Sequence, residues 1–356
     1  MTLILNNQEI ASITSMNEVI TALGDAYREL AEGRGVTRRR SDTLVPGEVE
    51  GSIYSLKSMD GIAPHLGVGA VRINSDILAW PSVGGQKRRV KKPMAPGGRY
   101  VGLILLFSTK TGEPLAIIPD GIIQRLRVGA TNGLGIRHLA REDARTVGLI
   151  GSGFQAETQL EAAAAVRRIE RVRLFSPNQE NRERFAQTIG PKLGLAIEPV
   201  ETAEQAVAGA DIVLCATSST GPVYRAEWLV PGVHLSAIKR TEIEVAALEQ
   251  AGVVVIHSSD PGPLTTVSSG VDLAETGEKE MRSFGKLPIE TLPLLPELIA
   301  GRHRGRSDER EVTAFINNLG SGYQFAVIGA AVLAAARQKG VGHEVPTDWF
   351  TEVEHP

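Results

Sequence analysis

Apolar positions along this chain change their period as it proceeds, and the changes mark different building blocks. Near the N-terminus, Val19, Ile20, Leu23, Tyr27 and Leu30 recur at helical spacing behind Ser15 and Glu18. The three-residue separation of that Ser/Glu pair is that of a capping box, so an amphipathic first helix is predicted. Residues 52–59 and 68–73 read as short strands, and the apolar runs 101–107 and 114–118 flank the turn 110–113 in a hairpin-like pattern. This first region is expected to be mainly antiparallel sheet. From Asp120 to Leu139 the pattern becomes helical, and strands then alternate with helices. The strand candidates are 146–150, 171–175, 196–200, 210–216, 233–238, 253–257 and 312–316, the signature of a parallel doubly wound sheet in an α/β chain. A last helix over 323–337 is expected to return to the first region.

The junction of the 146–150 strand with its helix carries the strongest chemistry. It reads Gly151-Ser152-Gly153-Phe154-Gln155-Ala156, a dinucleotide fingerprint. Gly151 permits the tight turn, Gly153 lets backbone approach a pyrophosphate, and Ala156 takes the close-packing place. The helix that starts there offers free amides and its positive end to phosphates. After the next strand, Ser176-Pro177-Asn178 stands where an acidic residue would bind the ribose hydroxyls of NAD. Ser176 replaces that acid, and either Arg182 or Arg184 is placed to pair with a 2′-phosphate. Glu180 and Glu183 lie close by, so both arginines also fit as ordinary helix residues. The pattern favours NADP, with NAD as the alternative. Open parallel sheets bind ligands beyond the carboxyl ends of their strands. That rule adds Ala216, Thr217, Ser218, Ser219, Ile238, Lys239 and Asn318 to the cofactor candidates.

Composition narrows the class. A length of 356 residues suggests two domains. The balance of 38 basic against 41 acidic residues, net −3, argues against nucleic acid and for a small-molecule partner. The one cysteine, Cys215, lies in an apolar run, which fits a buried inert thiol and a reducing cytoplasm. No stretch is long and apolar enough to span a bilayer, and no histidine and carboxylate cluster has metal-ligand spacing. The basic run Lys87–Lys92 is most simply solvated surface, and Asp120, before Gly121, a turn residue.

Several motifs appear in order: Thr111-Gly-x-Pro-Leu-Ala, Asp120-Gly, Leu126-Arg127-x-Gly-Ala, the Gly151 turn, Pro231-Gly-x-His234, Ala237 and Thr313-x-Phe315. Together they resemble the ornithine cyclodeaminase/mu-crystallin family over nearly the whole chain. The resemblance implies a discontinuous α+β domain (1–125 with 318–356) that binds substrate and forms a homodimer, and a Rossmann domain (126–317). It implies use of a nicotinamide to exchange hydride at a carbon bonded to nitrogen, as in cyclodeaminases, alanine dehydrogenases, ketimine reductases and condensing synthases. His234 follows the family pattern and reads as structural; His257 reads as a hydrogen-bonded core histidine.

Departures from the family pattern matter as much. The family clamps a substrate carboxylate with two arginines and a lysine. Arg127 fits one position and Arg40 is the nearest candidate for another, while Gly69 stands at the lysine position. Lys57 on the preceding strand, or Arg72, is a candidate replacement. The acid that cyclodeaminases carry after the strand ending at Ala237 is missing, and Lys239 and Arg240 follow instead. Cyclodeamination needs a base there, so two cations instead favour an anionic substrate, or polarise and protonate an imine that is being reduced. The expected roles are Arg127 and Arg40 as carboxylate clamp, Lys57 as acid/base and Lys239 as electrostatic support. The leading expectation is an NAD(P)H-dependent oxidoreductase acting on the C–N bond of a small amino, imino or keto acid. A lyase using bound NAD and an NADPH-binding protein without chemistry are the alternatives.

Overall fold

The structure, a computed structural model, describes residues 1–83, 86–87, 89–260, 262–271 and 287–354. Two compact units are present. One comprises Met1–Arg127, the described part of Asp260–Thr276, and Ser321–Pro356; the other comprises Val128–Ser259 and the described part of Gly277–Gly320.

In the first unit, a mixed sheet has the order Leu264–Val267, Ser41–Pro46, Ser52–Ala63, Val68–Ala79, Val101–Ser108, Pro114–Pro119, Thr2–Ile4, His343–Val345. The central strands are antiparallel, as the alternation predicts. Both long ones run past their expected ends, to Ala63 and Ala79, joined through Pro64–Leu66 and Gly67 at φ 70°. Two parallel pairings were outside the sequence expectation. Thr2–Ile4 joins Pro114–Pro119, and Leu264–Val267 joins Ser41–Pro46. The second pairing assigns part of the 126–317 stretch to the first unit, because a strand's partner across a sheet is set by register rather than by nearness in sequence.

Ser15 and Glu18 do form the capping box of the Met16–Ala31 helix, whose buried face is Val19, Ile20, Leu23 and Tyr27. The Gly322–Lys339 helix packs on the inner face of the two long strands. Glycine is required at that crossing: a Cβ on Gly61 would lie 2.2 Å from the Tyr323 nitrogen, and one on Gly322 would lie 2.0 Å from the Asp60 carbonyl oxygen.

The second unit is a seven-stranded parallel sheet. Its order is Ile197–Pro199, Arg171–Phe175, Thr146–Ile150, Ile212–Cys215, His234–Ala237, Thr313–Ile316, Val253–Ile256. Strand order reverses between Thr146–Ile150 and Ile212–Cys215, so the crevice for a ligand lies beyond Ile150 and Cys215. The central strands are buried throughout, as a parallel sheet covered on both faces requires. Cys215 belongs to that core, where burial raises its thiol pKa well above the usual value. His234 is fully buried against the Thr313 hydroxyl, 3.0 Å from Nδ1. His257 is also buried, its ring meeting the Leu319 carbonyl. Among the described residues no helix is long and apolar enough to cross a membrane.

Candidate active site

The crevice end of the parallel sheet is made mostly of backbone. Gly151 adopts φ 118°, and a Cβ there would lie 2.2 Å from the Ala216 carbonyl oxygen on the neighbouring strand end. Only glycine fits that turn. Gly153 is the N-cap of the Phe154–Val166 helix and supplies no side-chain cap, so the positive end of that helix faces the turn. Ala156 is fully buried beneath it. These features fit a dinucleotide pyrophosphate, which Ser152, Gly153, Phe154 and Gln155 would hold through main-chain groups. A cavity of about 230 Å³ adjoins the turn, with Phe154, Asn181, Arg184 and Thr188 among its walls.

The structure separates the two candidate arginines. Arg182 donates to the carbonyl of Ser176 at 3.1 Å, directly at the ribose-reading strand end. Arg184 instead pairs with Glu180 and Asn181 on its own helix. Asn178 caps that helix, accepting from the Asn181 amide at 2.8 Å, with Pro177 before it. Asn318 accepts from the amides of His257 and Ser258, tying two strand-end turns together.

Sequence reasoning passed over Glu242 as an answer to the missing acid. Its carboxylate is fully buried at the ends of the Ile212–Cys215 and His234–Ala237 strands. Oε1 accepts from the amide and hydroxyl of Thr217 at 2.6 and 2.8 Å. Oε2 accepts from the amides of Ile238 and Lys239, both at 3.1 Å. Burial raises its pKa to about 7, against the pull of Lys239 and these donors. With both oxygens engaged, Glu242 acts as a clamp between two loops rather than as a base open to substrate. Lys239 extends the same clamp, donating to the Ser219 carbonyl at 2.6 Å. Ser219 in turn donates to the Gly221 carbonyl, while Ser218 lies between the clamped residues.

In the first unit the chemistry is carried by side chains on one sheet face. Alternation along Ser52–Ala63 and Val68–Ala79 buries Lys57, Met59, Arg72, Asn74 and Asp76 together. Register sets Asp42 opposite Lys57, and Lys57 opposite Asn74. Three ion pairs result. Arg40 grips Asp42 with two bonds of 2.8 Å. Lys57 donates to Asp76 at 3.1 Å. Arg72 donates twice to Asp120, at 2.9 and 2.7 Å, and Asn74 adds a third bond to the same oxygen at 3.0 Å. Asp120 is therefore a buried ion-pair partner as well as a turn residue.

Arg127 lies 7% exposed, donating to Gln124 at 2.9 Å and Gln324 at 3.2 Å. Both Arg72 and Arg127 stack on Phe325, at 5.1 and 5.2 Å from the ring centre. Burial, and then Arg72, lower the Arg127 pKa to about 9, although a guanidinium keeps its charge at neutral pH. An arriving carboxylate would relieve that electrostatic cost. Burial, and then Arg89, lower the pKa of Lys57 to about 8, while Asp76 opposes the fall.

Gly69 stands apart from this cluster. It belongs to the outer series of its strand, where a Cβ would meet Ile62 at 3.7 Å, so a lysine there would not share the face of Lys57. Of the basic loop, Arg88 lies outside the described residues, while Lys91 pairs with the second oxygen of Asp76 at 2.9 Å. That run is thus partly structural. Asp42, Asp76, Gln324 and Phe325 were missed by sequence reasoning. Among the described residues no group of histidine, cysteine and carboxylate side chains could hold a metal.

Known proteins resemble the chain along nearly its whole length. The Δ1-pyrroline-2-carboxylate reductase of Bacillus cereus is 28% identical over 351 residues, covering 96% of this chain and 99% of that protein. Among solved structures, Thermococcus litoralis Δ1-pyrroline-2-carboxylate reductase in complex with NADH and L-proline has a TM-score of 0.77 at 27% identity. It covers 97% of this chain and 100% of its own. An archaeal alanine dehydrogenase dimer with bound NAD has a TM-score of 0.76 at 26% identity, over 97% and 99% of the two chains. The family model matches residues 1–339, and the chain belongs to the ornithine cyclodeaminase/mu-crystallin family.

Proposed function

We propose that this chain is an NAD(P)H-dependent oxidoreductase that reduces the C=N bond of a small imino acid to an amine. The observation that carries the reading is a buried lysine, Lys57, on the same sheet face as Arg40 and Arg72, in a chain similar along its length to imino acid reductases. A nicotinamide, when bound, would supply the hydride to carbon. Lys57 supplies the proton to nitrogen, so a C=N bond gains one hydride and one proton. Arg127 and Arg40 orient the substrate carboxylate, and the desolvated setting of Arg127 strengthens that attraction. The Gly151 turn and the loops clamped by Glu242 hold the nucleotide.

Ser176 and Arg182 favour the 2′-phosphate of NADP, although the structural relatives named above carry NADH and NAD. Dimerisation would use the outer sheet face, where Ile62 is 43% and Leu103 40% exposed and a cavity of about 560 Å³ is lined by Ile62, Val71 and Phe107.

The test is oxidation of NADPH and NADH by purified protein with cyclic imino acids, and with keto acids plus amines. Consumption with a cyclic imino acid, with NADPH preferred, is expected. Inertness across the panel despite nucleotide binding would sink the reading. Ser176→Asp should shift preference toward NADH by roughly tenfold, the scale of one hydrogen bond to a charged group.

A further inference from the structure

Lys57 does not meet Asp76 alone. Asp76 Oδ2 accepts from Lys57 at 3.1 Å while Oδ1 faces Lys91 at 2.9 Å. The carboxylate is 2% exposed, Lys57 is 7% exposed and Lys91 is 44% exposed. One buried acid thus bridges an inner ammonium and an outer one, from the Val68–Ala79 strand to the Val90–Lys92 edge strand that pairs with it.

Among the surrounding groups, this bridge gives Lys57 its hydrogen-bond partner, Asp76, and ties that partner to a second cation. Asp42 stands opposite it in register but is gripped by Arg40. Asn74, on the other side, is neutral. Arg72 on the same face is paired with Asp120, and Arg89 adds a positive field. The Gly322–Lys339 helix brings Tyr323, whose hydroxyl donates to the Ala26 carbonyl. A proton donor must be aimed, yet its ammonium must not be held so strongly that the proton cannot leave. An unshared buried carboxylate would aim it and hold it too well.

We propose that Asp76 is the positioning residue for Lys57, and that Lys91, by sharing its carboxylate, weakens Asp76's hold and sets the pH range over which Lys57 can give up its proton. The proposal rests on the reading of Lys57 as proton donor. The electrostatics agree with it. After burial and Arg89, Asp76 raises the Lys57 pKa and Lys91 lowers it, leaving it at about 8. Asp76 itself stays ionised: burial would raise its pKa, but Lys57 and then Lys91 outweigh burial and lower it.

The experiment is the pH profile of kcat/KM for NADPH-dependent reduction of a cyclic imino acid, measured on the intact protein with Lys57→Ala, Asp76→Asn and Lys91→Met. A proton donor loses activity as pH rises through its pKa. Asp76→Asn removes the acceptor, so this alkaline limb should move to lower pH, by on the order of one unit. Lys91→Met removes a competing cation, so the limb should move to higher pH, by less than about one unit because Lys91 is partly screened by water. Opposite shifts, with nucleotide affinity unchanged, are what a merely structural ion pair would not give.

Full activity in Lys57→Ala would overturn the reading and the proposal together. Loss of activity in Lys57→Ala, with the limb unmoved or moved in the same direction by the other two variants, would overturn the proposal and leave the reading standing. Should Asp76→Asn fail to fold, Lys91→Met decides alone: an upward shift supports the proposal and an unmoved limb ends it.

Discussion

On the proposed reading, the crevice of the parallel sheet and the inner face of the mixed sheet bind with different parts of the chain. At Gly151 the ligand-facing groups are main-chain amides, and the side chains matter by being absent. At Lys57 the ligand-facing groups are long side chains, each steered by an acid or amide on another strand or helix. The first arrangement can be encoded in six consecutive residues. The second needs a register. Binding of the nucleotide should therefore be robust to side-chain changes and fragile to backbone ones, and turnover the reverse.

Variants can break this contrast. The largest effect is expected from Lys57→Ala, which should lower kcat/KM by roughly 10²–10⁴-fold with nucleotide affinity unchanged, as measured by steady-state kinetics and NADPH titration. A matching loss of nucleotide affinity would dissolve the contrast. Asp120→Ala comes next, because it leaves Arg72 buried without its carboxylate and should destabilise the fold by about 3–5 kcal/mol, read from denaturant unfolding. Gly151→Ala forces a Cβ against the Ala216 carbonyl at a φ of 118°, and should cost about 1–3 kcal/mol in nucleotide binding. Its pH profile for turnover should keep the wild-type shape.

The last effect is a slope with pH, small over any one unit, against which the others are read. Burial, and then Arg306, lower the pKa of His234 from 6.5 to about 3. Between those values the unfolded chain takes up a proton that the folded chain refuses. Stability from this group is therefore present above 6.5 and is lost as pH falls toward 3, by at most about 1.4 kcal/mol per pH unit. His234→Gln should flatten that slope in acid unfolding curves; an unchanged slope would place the acid sensitivity elsewhere.

These regions were unequally legible in the sequence. The glycine turn could be read because its constraint is local: a strand, two glycines and a helix start within a dozen residues. Arg40, Lys57, Arg72 and Arg127 could be named as cations, but Asp76 and Asp120 meet Lys57 and Arg72 only through strand register and the turn into a distant helix. Asp42, two residues from Arg40, was adjacent and still unmarked, because spacing alone does not select it as a partner. A trace was present in Arg72, Asn74 and Asp76, polar at every second position with Ile73 and Ile77 in the intervening series. Such alternation normally signals a polar face in water. Here it is inverted, the polar series buried and the apolar series half-exposed, and alternation by itself does not say which face is covered. The role of Glu242, though it lies in the strand-end stretch Lys239–Glu242, was not legible because a short helical turn, Arg240–Glu242, carries its carboxylate back under Thr217, a placement that spacing along the chain does not reveal.

The edges of the mixed sheet carry a further consequence for how the chain comes into being. Thr2–Ile4 waits for both Pro114–Pro119 and His343–Val345, Ser41–Pro46 waits for Leu264–Val267, and the inner face waits for the Gly322–Lys339 helix. On a ribosome the unit begun first is thus completed last, after the whole parallel sheet has emerged. Until then its open strand edges and uncovered inner face are available to wrong partners. A chain released after Gly320 would keep Leu264–Val267 at one margin but lack His343–Val345 beside Thr2–Ile4 and the Gly322–Lys339 helix on the inner face, and should depend on chaperones far more than the full-length protein does.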